Sequence, residues 1–307
     1  MEIKGIGINV DSKRVNGRIR RFDEELRIFE KFGFDYAEIS PHGVDGIIHG
    51  KINSRKIDDI VAITKKHNLK YTVHAPDVIN LKDIFNKKIQ YRSLKATIDF
   101  ANHIGSEIVV YHCGKFLKQQ YGIEEDIECE QRENEIDNLK QLADYARMEN
   151  VKLAIENTSQ SARSIIELIK RVDKENVGMT LDVGHLYLWH KTKASKGRFL
   201  DEINEALNYA IHMHVHDNFG EPEVLYGYSI ENIDVYKLTL GIGDLHMPIG
   251  WGNIPYKEVF ELIKEHDYSG VIIEEINSWQ RYSNALKDIP GNIRRLFNGE
   301  RVVVVKG

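Results

Sequence analysis

The sequence predicts an α/β protein folded as a single (β/α)8 TIM barrel, and three observations carry that prediction. Short β-branched runs alternate with amphipathic helical stretches from one end of the chain to the other. The strand-like runs number eight, the count that closes a barrel, and 307 residues suit eight strand–helix units with insertions. No glycine-rich loop follows the first run, which argues against an open dinucleotide-binding sheet.

In order, the expected strands cover residues 3–9, 36–40, 70–75, 107–112, 151–156, 177–182, 211–216 and 270–275. Helical periodicity fills residues 19–32, 54–67, 87–104, 131–149, 161–173, 198–209, 256–266 and 281–297. Two connections exceed ordinary loop length, 113–130 and 217–255, and both follow strands, which puts them on the face where barrels carry their chemistry. The first includes the acidic run Glu124-Glu125-Asp126, and the apolar tail Val302-Val303-Val304-Val305 invites pairing with another segment or chain. No linker or composition shift divides the sequence, so residues 1–307 are expected to form one domain.

Composition narrows the class. With 42% hydrophobic and 29% charged residues the chain reads as globular, and no apolar run approaches the roughly 18–20 residues needed to cross a bilayer. Folding pattern begins at Met1-Glu2-Ile3-Lys4, which predicts no signal peptide. Cys113 and Cys129 make no disulfide framework and suit a reducing cytosol, so a cytoplasmic protein without a membrane partner is expected. A net charge of −5 weighs little against nucleic acid, because three divalent ions would bring it to about +1.

The informative feature is what sits at the strand ends. His74, His112, Glu156 and Asp182 end the third to sixth runs, His214 lies near the end of the seventh, and Glu275 ends the eighth. His185 follows the sixth, and Asp244 and His246 lie in the long segment after the seventh. A closed barrel brings those ends to one mouth. Burying so many ionisable groups together without cations is costly, so they predict bound zinc, manganese or iron, one to three ions per chain. His212, His214 and His216 share strand parity, and Glu274 and Glu275 are adjacent, so periodicity alone does not choose among them.

The phrases His74-Ala75-Pro76-Asp77-Val78-Ile79-Asn80-Leu81, Ile155-Glu156-Asn157-Thr158, Leu181-Asp182-Val183-Gly184-His185 and His214-Val215-His216-Asp217-Asn218 resemble the xylose-isomerase-like barrel superfamily. That superfamily includes sugar and sugar-phosphate isomerases and epimerases, and also endonuclease IV. Resemblance to its single-metal isomerases implies ligands at Glu156, Asp182, His214 and Glu275. Resemblance to endonuclease IV adds His74 and His112 at a neighbouring ion. It adds His185, Asp244 and His246 at a third, with Glu156 bridging. Family position favours His214 over its neighbours and Glu275 over Glu274.

Around this centre, Glu38, His42, Lys191 and Trp251 are candidate substrate contacts. Lys13, Arg14, Arg18, Arg20 and Arg21, and then Lys191, Lys193, Lys196 and Arg198, form two basic stretches suited to a phosphate group. Cys113 points away from the mouth, and His67, His103 and His266 read as surface residues.

The favoured function is a metal-dependent isomerase or epimerase of a sugar or sugar phosphate. Glu156 and Glu275 would act as base and acid, and His185 would steady a substrate oxygen. The alternative is an endonuclease IV-like hydrolase at abasic sites in DNA; a full ligand set favours it, and the lack of DNA-penetrating segments after the first two strands opposes it. A non-catalytic metal-dependent sugar binder is the third reading. The partner is a small carbohydrate, or DNA under the alternative, and homo-oligomerisation is left open.

Overall fold

A computed structural model describes residues 3–117, 127–192, 198–223, 233–300 and 302. Glu124, Glu125, Asp126, Lys193, Lys196 and the tail from Val303 lie outside the described residues. Ten strands occur among them. Eight are parallel and close a barrel: β1 (Gly5–Asn9), β2 (Tyr36–Ile39), β5 (Lys70–His74), β6 (Ile108–His112), β7 (Lys152–Glu156), β8 (Val177–Asp182), β9 (Ala210–Val215) and β10 (Val271–Glu274). Each pairs with its successor, and β10 pairs with β1, so the barrel itself has no free edge. The fold class is that expected.

The strands share one internal logic. Side chains alternate between the barrel interior and the helical shell. The outward set, with residues such as Ile8, Val73, Val109, Ile155 and Leu181, forms the main core against the helices. The inward set is stacked in layers. Tyr36, Val271 and Ile273 pack together low in the barrel, as do Ile108, Val110 and Ala154. Gly7 leaves room there, since a Cβ on it would lie 2.4 Å from Ile273 Cδ1 and 2.7 Å from Tyr36 Cβ.

One irregularity sets the site. Between β8 and β9 the register shifts after Met179, so that Thr180 faces His212 and Asp182 faces His214. Met179 pairs with Ala210; without the extra residue on β9, Asp182 would stand beside Met213 and the histidines would be out of step with it.

The shell helices that frame the mouth are α4 (Lys87–Ile104), α5 (Ile127–Met148), α6 (Ala162–Val172) and α7 (Val183–Thr192), with α1 to α3 before them at Ser12–Val15, Ile19–Lys31 and Ile57–Thr64. Then come α8 (Phe199–Ala206), α9 (Ile233–Leu240), α10 (Tyr256–Glu265), α11 (Ser283–Leu286) and α12 (Ile289–Phe297). Four details add to or differ from expectation. A hairpin of β3 (Ile47–Ile48) and β4 (Lys51–Ile52) sits after β2, and α7 begins directly at the end of β8. The stretch 281–297 is broken into a 3-10 turn (Trp279–Tyr282), α11 and α12, with Pro290 in the first turn of α12 where it can start a helix but not continue one. His67, expected at the surface, is clamped between Asp23 at 2.9 Å and Glu30 at 3.1 Å.

Candidate metal centre

The uppermost inward layer is ionisable throughout. Register places His112 beside Glu156 and Asp182 beside His214. Glu38, Glu156, Asp182, His212, His214 and His216 are each buried to 2% exposure or less. His74, His185, Asp244, His246 and Glu275 come in from adjoining strand ends and loops, while Glu274 turns outward and accepts from Ile249 N at 2.7 Å.

Ligand-type atoms collect in overlapping groups, with all atoms of each group within 4.8 Å of one another. Of five such groups among the described residues, the first is His74, His112 and Glu156; the second is Glu156, Asp182, His214 and Glu275; the third is His185, His216, Asp244 and His246; the other two join His214 to Glu38 and His212 and to His74 and Glu275. Glu156 belongs to two of them. Its Oε2 lies 3.2 Å from both His74 Nε2 and His112 Nε2, and its Oε1 lies 3.3 Å from His214 Nδ1 and His185 Nδ1. The third group gathers on Asp244, whose Oδ2 is 2.9 Å from His185 Nε2 and 2.8 Å from His246 Nε2.

Cations fit these groups on the geometry of the rings. His74 Nδ1 faces the carbonyl of Ala75 at 2.7 Å, His185 Nδ1 that of Asn157 at 3.2 Å, and His246 Nδ1 that of Glu275 at 3.2 Å. An N–H spent on a main-chain carbonyl fixes the tautomer and presents the Nε2 lone pair inward, the usual arrangement of a metal-ligating histidine. Glu38 Oε1 lies 2.9 Å from His214 Nε2, but neither atom makes a directed hydrogen bond. Several inward atoms are buried without a hydrogen-bond partner: His112 Nε2, Asp182 Oδ2, Asp244 Oδ1 and both ring nitrogens of His216. Close approach without hydrogen-bond direction is what a shared cation at about 2.0–2.2 Å from each atom resolves.

With no cation, protons hold the cluster together. Burial opposes charging His74, but its contact with Glu156 and the charges of Glu156 and Glu38 raise its pKa to about 10. Burial likewise opposes His246, and Asp244 and Glu275 raise it to about 9. Burial pushes Glu38 up, yet His214, His212 and His74 bring it down to about 2. His212 stays neutral, lowered to about 3 by burial despite Glu38.

A recess of about 170 Å³ opens beside the centre. Asn9, Asp11, Lys13, Ser40, His42 and Asn277 are among the polar residues around it, and Glu38, His74 and Glu275 reach it from the centre. Lys191 lies elsewhere, in a cleft with Tyr187, Arg198 and Asn253, its Nζ 5.2 Å from the Tyr187 ring centroid. Trp251 packs edge-on against Tyr282 at 5.5 Å, beside Glu274 rather than in the recess. Arg14 is paired with Glu24 and Glu25, and Arg18 and Arg21 donate to its carbonyl. Cys113 is buried away from the mouth, 3.2 Å from Lys82 Nζ. The member of the third group that the sequence argument missed is His216; parity allowed it, but nothing in the sequence distinguished its depth from that of His212 or His214.

Comparison with known proteins agrees with this architecture. The sequence pattern of the xylose isomerase-like TIM barrel matches residues 26–296. An uncharacterized protein of Methanocaldococcus jannaschii is 25% identical over 231 residues, covering 72% of this chain and 69% of that protein. Among solved structures, a D-tagatose 3-epimerase-like protein superposes with a TM-score of 0.70 at 22% identity, over 96% of this chain and 98% of the other. The 3-keto-D-glucoside 4-epimerase of E. coli gives 0.67 at 16%, over 95% and 99%. A Mycobacterium smegmatis xylose isomerase-like TIM barrel protein in complex with magnesium gives 0.70 at 16%, over 96% and 97%. These barrels share the fold, and the match along nearly the whole sequence settles the lineage: the chain belongs to the xylose isomerase-like TIM barrel family.

Proposed function

We propose that the protein is a metal-dependent epimerase or isomerase of a small carbohydrate, free or phosphorylated. The observation that carries this reading is the recess of about 170 Å³, which is polar, monosaccharide-sized and opens onto His74 and Glu275. The epimerases among its structural neighbours are consistent with that substrate class.

A divalent ion held by Glu156, Asp182, His214 and Glu275 would polarise a substrate carbonyl and acidify the adjacent C–H. The residues themselves supply the rest. Glu156 on β7 and Glu275 after β10 reach the centre from different sides of the mouth, so one can take a carbon-bound proton while the other returns it. Asn9, Ser40, His42 and Asn277 line the recess with the donors and acceptors that hydroxyl groups need, and Lys13 is placed to meet a phosphate. Both nitrogens of His185 already face protein groups, Asn157 O and Asp244 Oδ2, so we assign it to the third group rather than to a substrate oxygen.

The test is deuterium incorporation. Metal-reconstituted protein is incubated in D2O with a panel of ketoses, aldoses and their phosphates, and C–H exchange is followed by NMR. Exchange next to a carbonyl, reduced about 10²–10⁴-fold by Glu275→Gln, is expected. The closeness of the first, second and third groups, with His185 Nδ1 3.3 Å from Glu156 and 3.2 Å from Asp182, favours a second reading, phosphodiester hydrolysis at abasic DNA. Cleavage of an abasic-site oligonucleotide with no sugar exchange would establish that reading and sink the first. Full metal content with neither reaction would leave a sugar binder.

A further inference from the structure

A second cleft lies between α5 and α6, beside the segment that follows β6. It measures about 400 Å³, against about 170 Å³ for the recess, a size that holds a small organic molecule. Among the described residues it shares none with the recess or with the ligand groups. Its floor is a closed ionic network. Lys82 is 5% exposed; its Nζ lies 2.6 Å from Glu135 Oε2 and donates to Gly114 O. Glu135 Oε1 accepts from Tyr111 Oη at 3.0 Å and from Gly114 N at 2.7 Å. Lysine and glutamate answer one another, so the floor is rigid and adds no net charge to the cleft. The wall is apolar, with Ile136 on α5 and Leu168 on α6, and Phe116 stands half-exposed at the rim. Arg132 reaches over the Phe116 ring, its Cζ 5.7 Å from the centroid.

We propose that this cleft is a second ligand site, separate from the metal centre, for a small acid with an aromatic or alicyclic body. The proposal stands whether or not the carbohydrate reading does. Charge selects the acid. The chain as a whole carries more carboxylates than lysines and arginines, 47 against 42, yet the described residues around the cleft include four cations and two carboxylates. Lys82 is answered by Glu135, and Arg171 pairs with Glu133, so the rim's other charges are Lys115 and Arg132 against Glu167. A guanidinium laid on an aromatic face keeps its N–H edge for an oxyanion, which it meets with two parallel hydrogen bonds. The wall selects the body: Phe116, Ile136 and Leu168 offer contact to a ring and nothing to a sugar hydroxyl. Tyr111 and Cys113 flank His112, so the cleft stands one residue from the centre without opening onto it.

The probe is 4-bromonaphthalene-1-sulfonate, titrated into the full-length protein by calorimetry and located in crystals by the anomalous signal of its bromine. Inorganic sulfate supplies the anion without the ring, and 1-naphthalenemethanol the ring without the anion. Saturable one-to-one binding is expected, at least about tenfold tighter than either control, with the bromine between α5 and α6. Arg132→Gln and Phe116→Ala change exposed side chains outside the core. Each is expected to weaken the probe about tenfold or more. A bromine peak only at another place, or equal affinity for the neutral analogue, overturns the proposal. So does a peak in the cleft without saturation in solution, which is binding at crystal concentration only. Unchanged affinity in both variants overturns it as well. The position and selectivity of the probe in the parent decide the matter even where a variant does not fold.

Discussion

Glu274 ends β10 with its side chain turned away from the mouth. One carboxyl oxygen accepts from Ile249 N, the other is buried without a partner, and the residue is fully buried. Burial therefore dominates, opposed by the Ile249 hydrogen bond and reinforced by Asp217, and the pKa rises to about 8. A carboxyl raised in the folded state from an unfolded value near 4.5 binds more protons when native. Its contribution to stability is full below pH 4.5 and is lost as pH rises through about 8. Glu274→Gln removes this titration. Thermal unfolding of variant and parent between about pH 5 and pH 8.5 should show the difference moving steadily in the variant's favour, by a few kcal/mol at most. Parallel curves would place the carboxyl in its ordinary range. Glu275, one residue on, faces the ligand groups instead, and only the two-residue period of the strand separates these fates.

At the scale of elements, α7 shows how the fold brings candidate ligands to the mouth. Asp182 closes β8, and its Oδ1 accepts from His185 N at 2.6 Å, so the carboxylate caps the helix that carries His185 back over the mouth. Gly184 in that first turn is the contact face for the His216 ring. Gly184→Ala is expected to displace the ring, cost about 1–3 kcal/mol by overpacking and weaken metal binding along with it. Calorimetry and elemental analysis on the same sample check both. A variant with parental stability and parental metal content would show that the ring has room to shift. The eight barrel strands were legible because each is a short β-branched run whose inward and outward sets are both satisfied. The hairpin at Ile47–Ile52 was not, because two-residue strands leave no periodicity. Most members of the buried cluster could be anticipated, since histidines and carboxylates at successive strand ends converge on one mouth. His212, His214 and His216 could not be ranked, because parity gives face and not depth. The structure spreads them over three levels, toward Glu38, toward Glu156 and toward Asp244. Lys191, in a stretch that reads as a loop, lies in the last turn of α7, which carries it into a separate cleft, and Trp251 sits in an irregular segment with no period to fix where it points.

For the whole molecule, the mouth is the place where the barrel departs from the rule of an apolar interior. Below it, layers of Ile, Val, Ala and Tyr fill the barrel; above them, histidines and carboxylates converge from β2, β5, β6, β7, β8 and β9 and from the loops that follow β9 and β10. Groups this deeply buried, several with unpartnered atoms, would tie the stability of the top of the barrel to any cation that they hold. An ion present at about 1,000 times its dissociation constant adds about 4 kcal/mol to the folded state. At roughly 2–4 °C per kcal/mol for a protein of this size, one site corresponds to a Tm shift on the order of 10 °C. Removing the ions with a chelator should lower Tm by at least that much, and re-adding zinc with manganese should restore it. Hydrogen exchange should locate the loss: amides of α7 and of the segments around Asp244 and Glu275 should open first, while the low layer around Tyr36, Val110 and Ile273 keeps its protection. The helices and lower strands contribute most of the apolar core, including Phe22, Leu26, Leu139 and Val259. If chelation left Tm and exchange at the mouth unchanged, the buried histidines and carboxylates would be satisfied by one another, and the metal reading of the centre would fall with them.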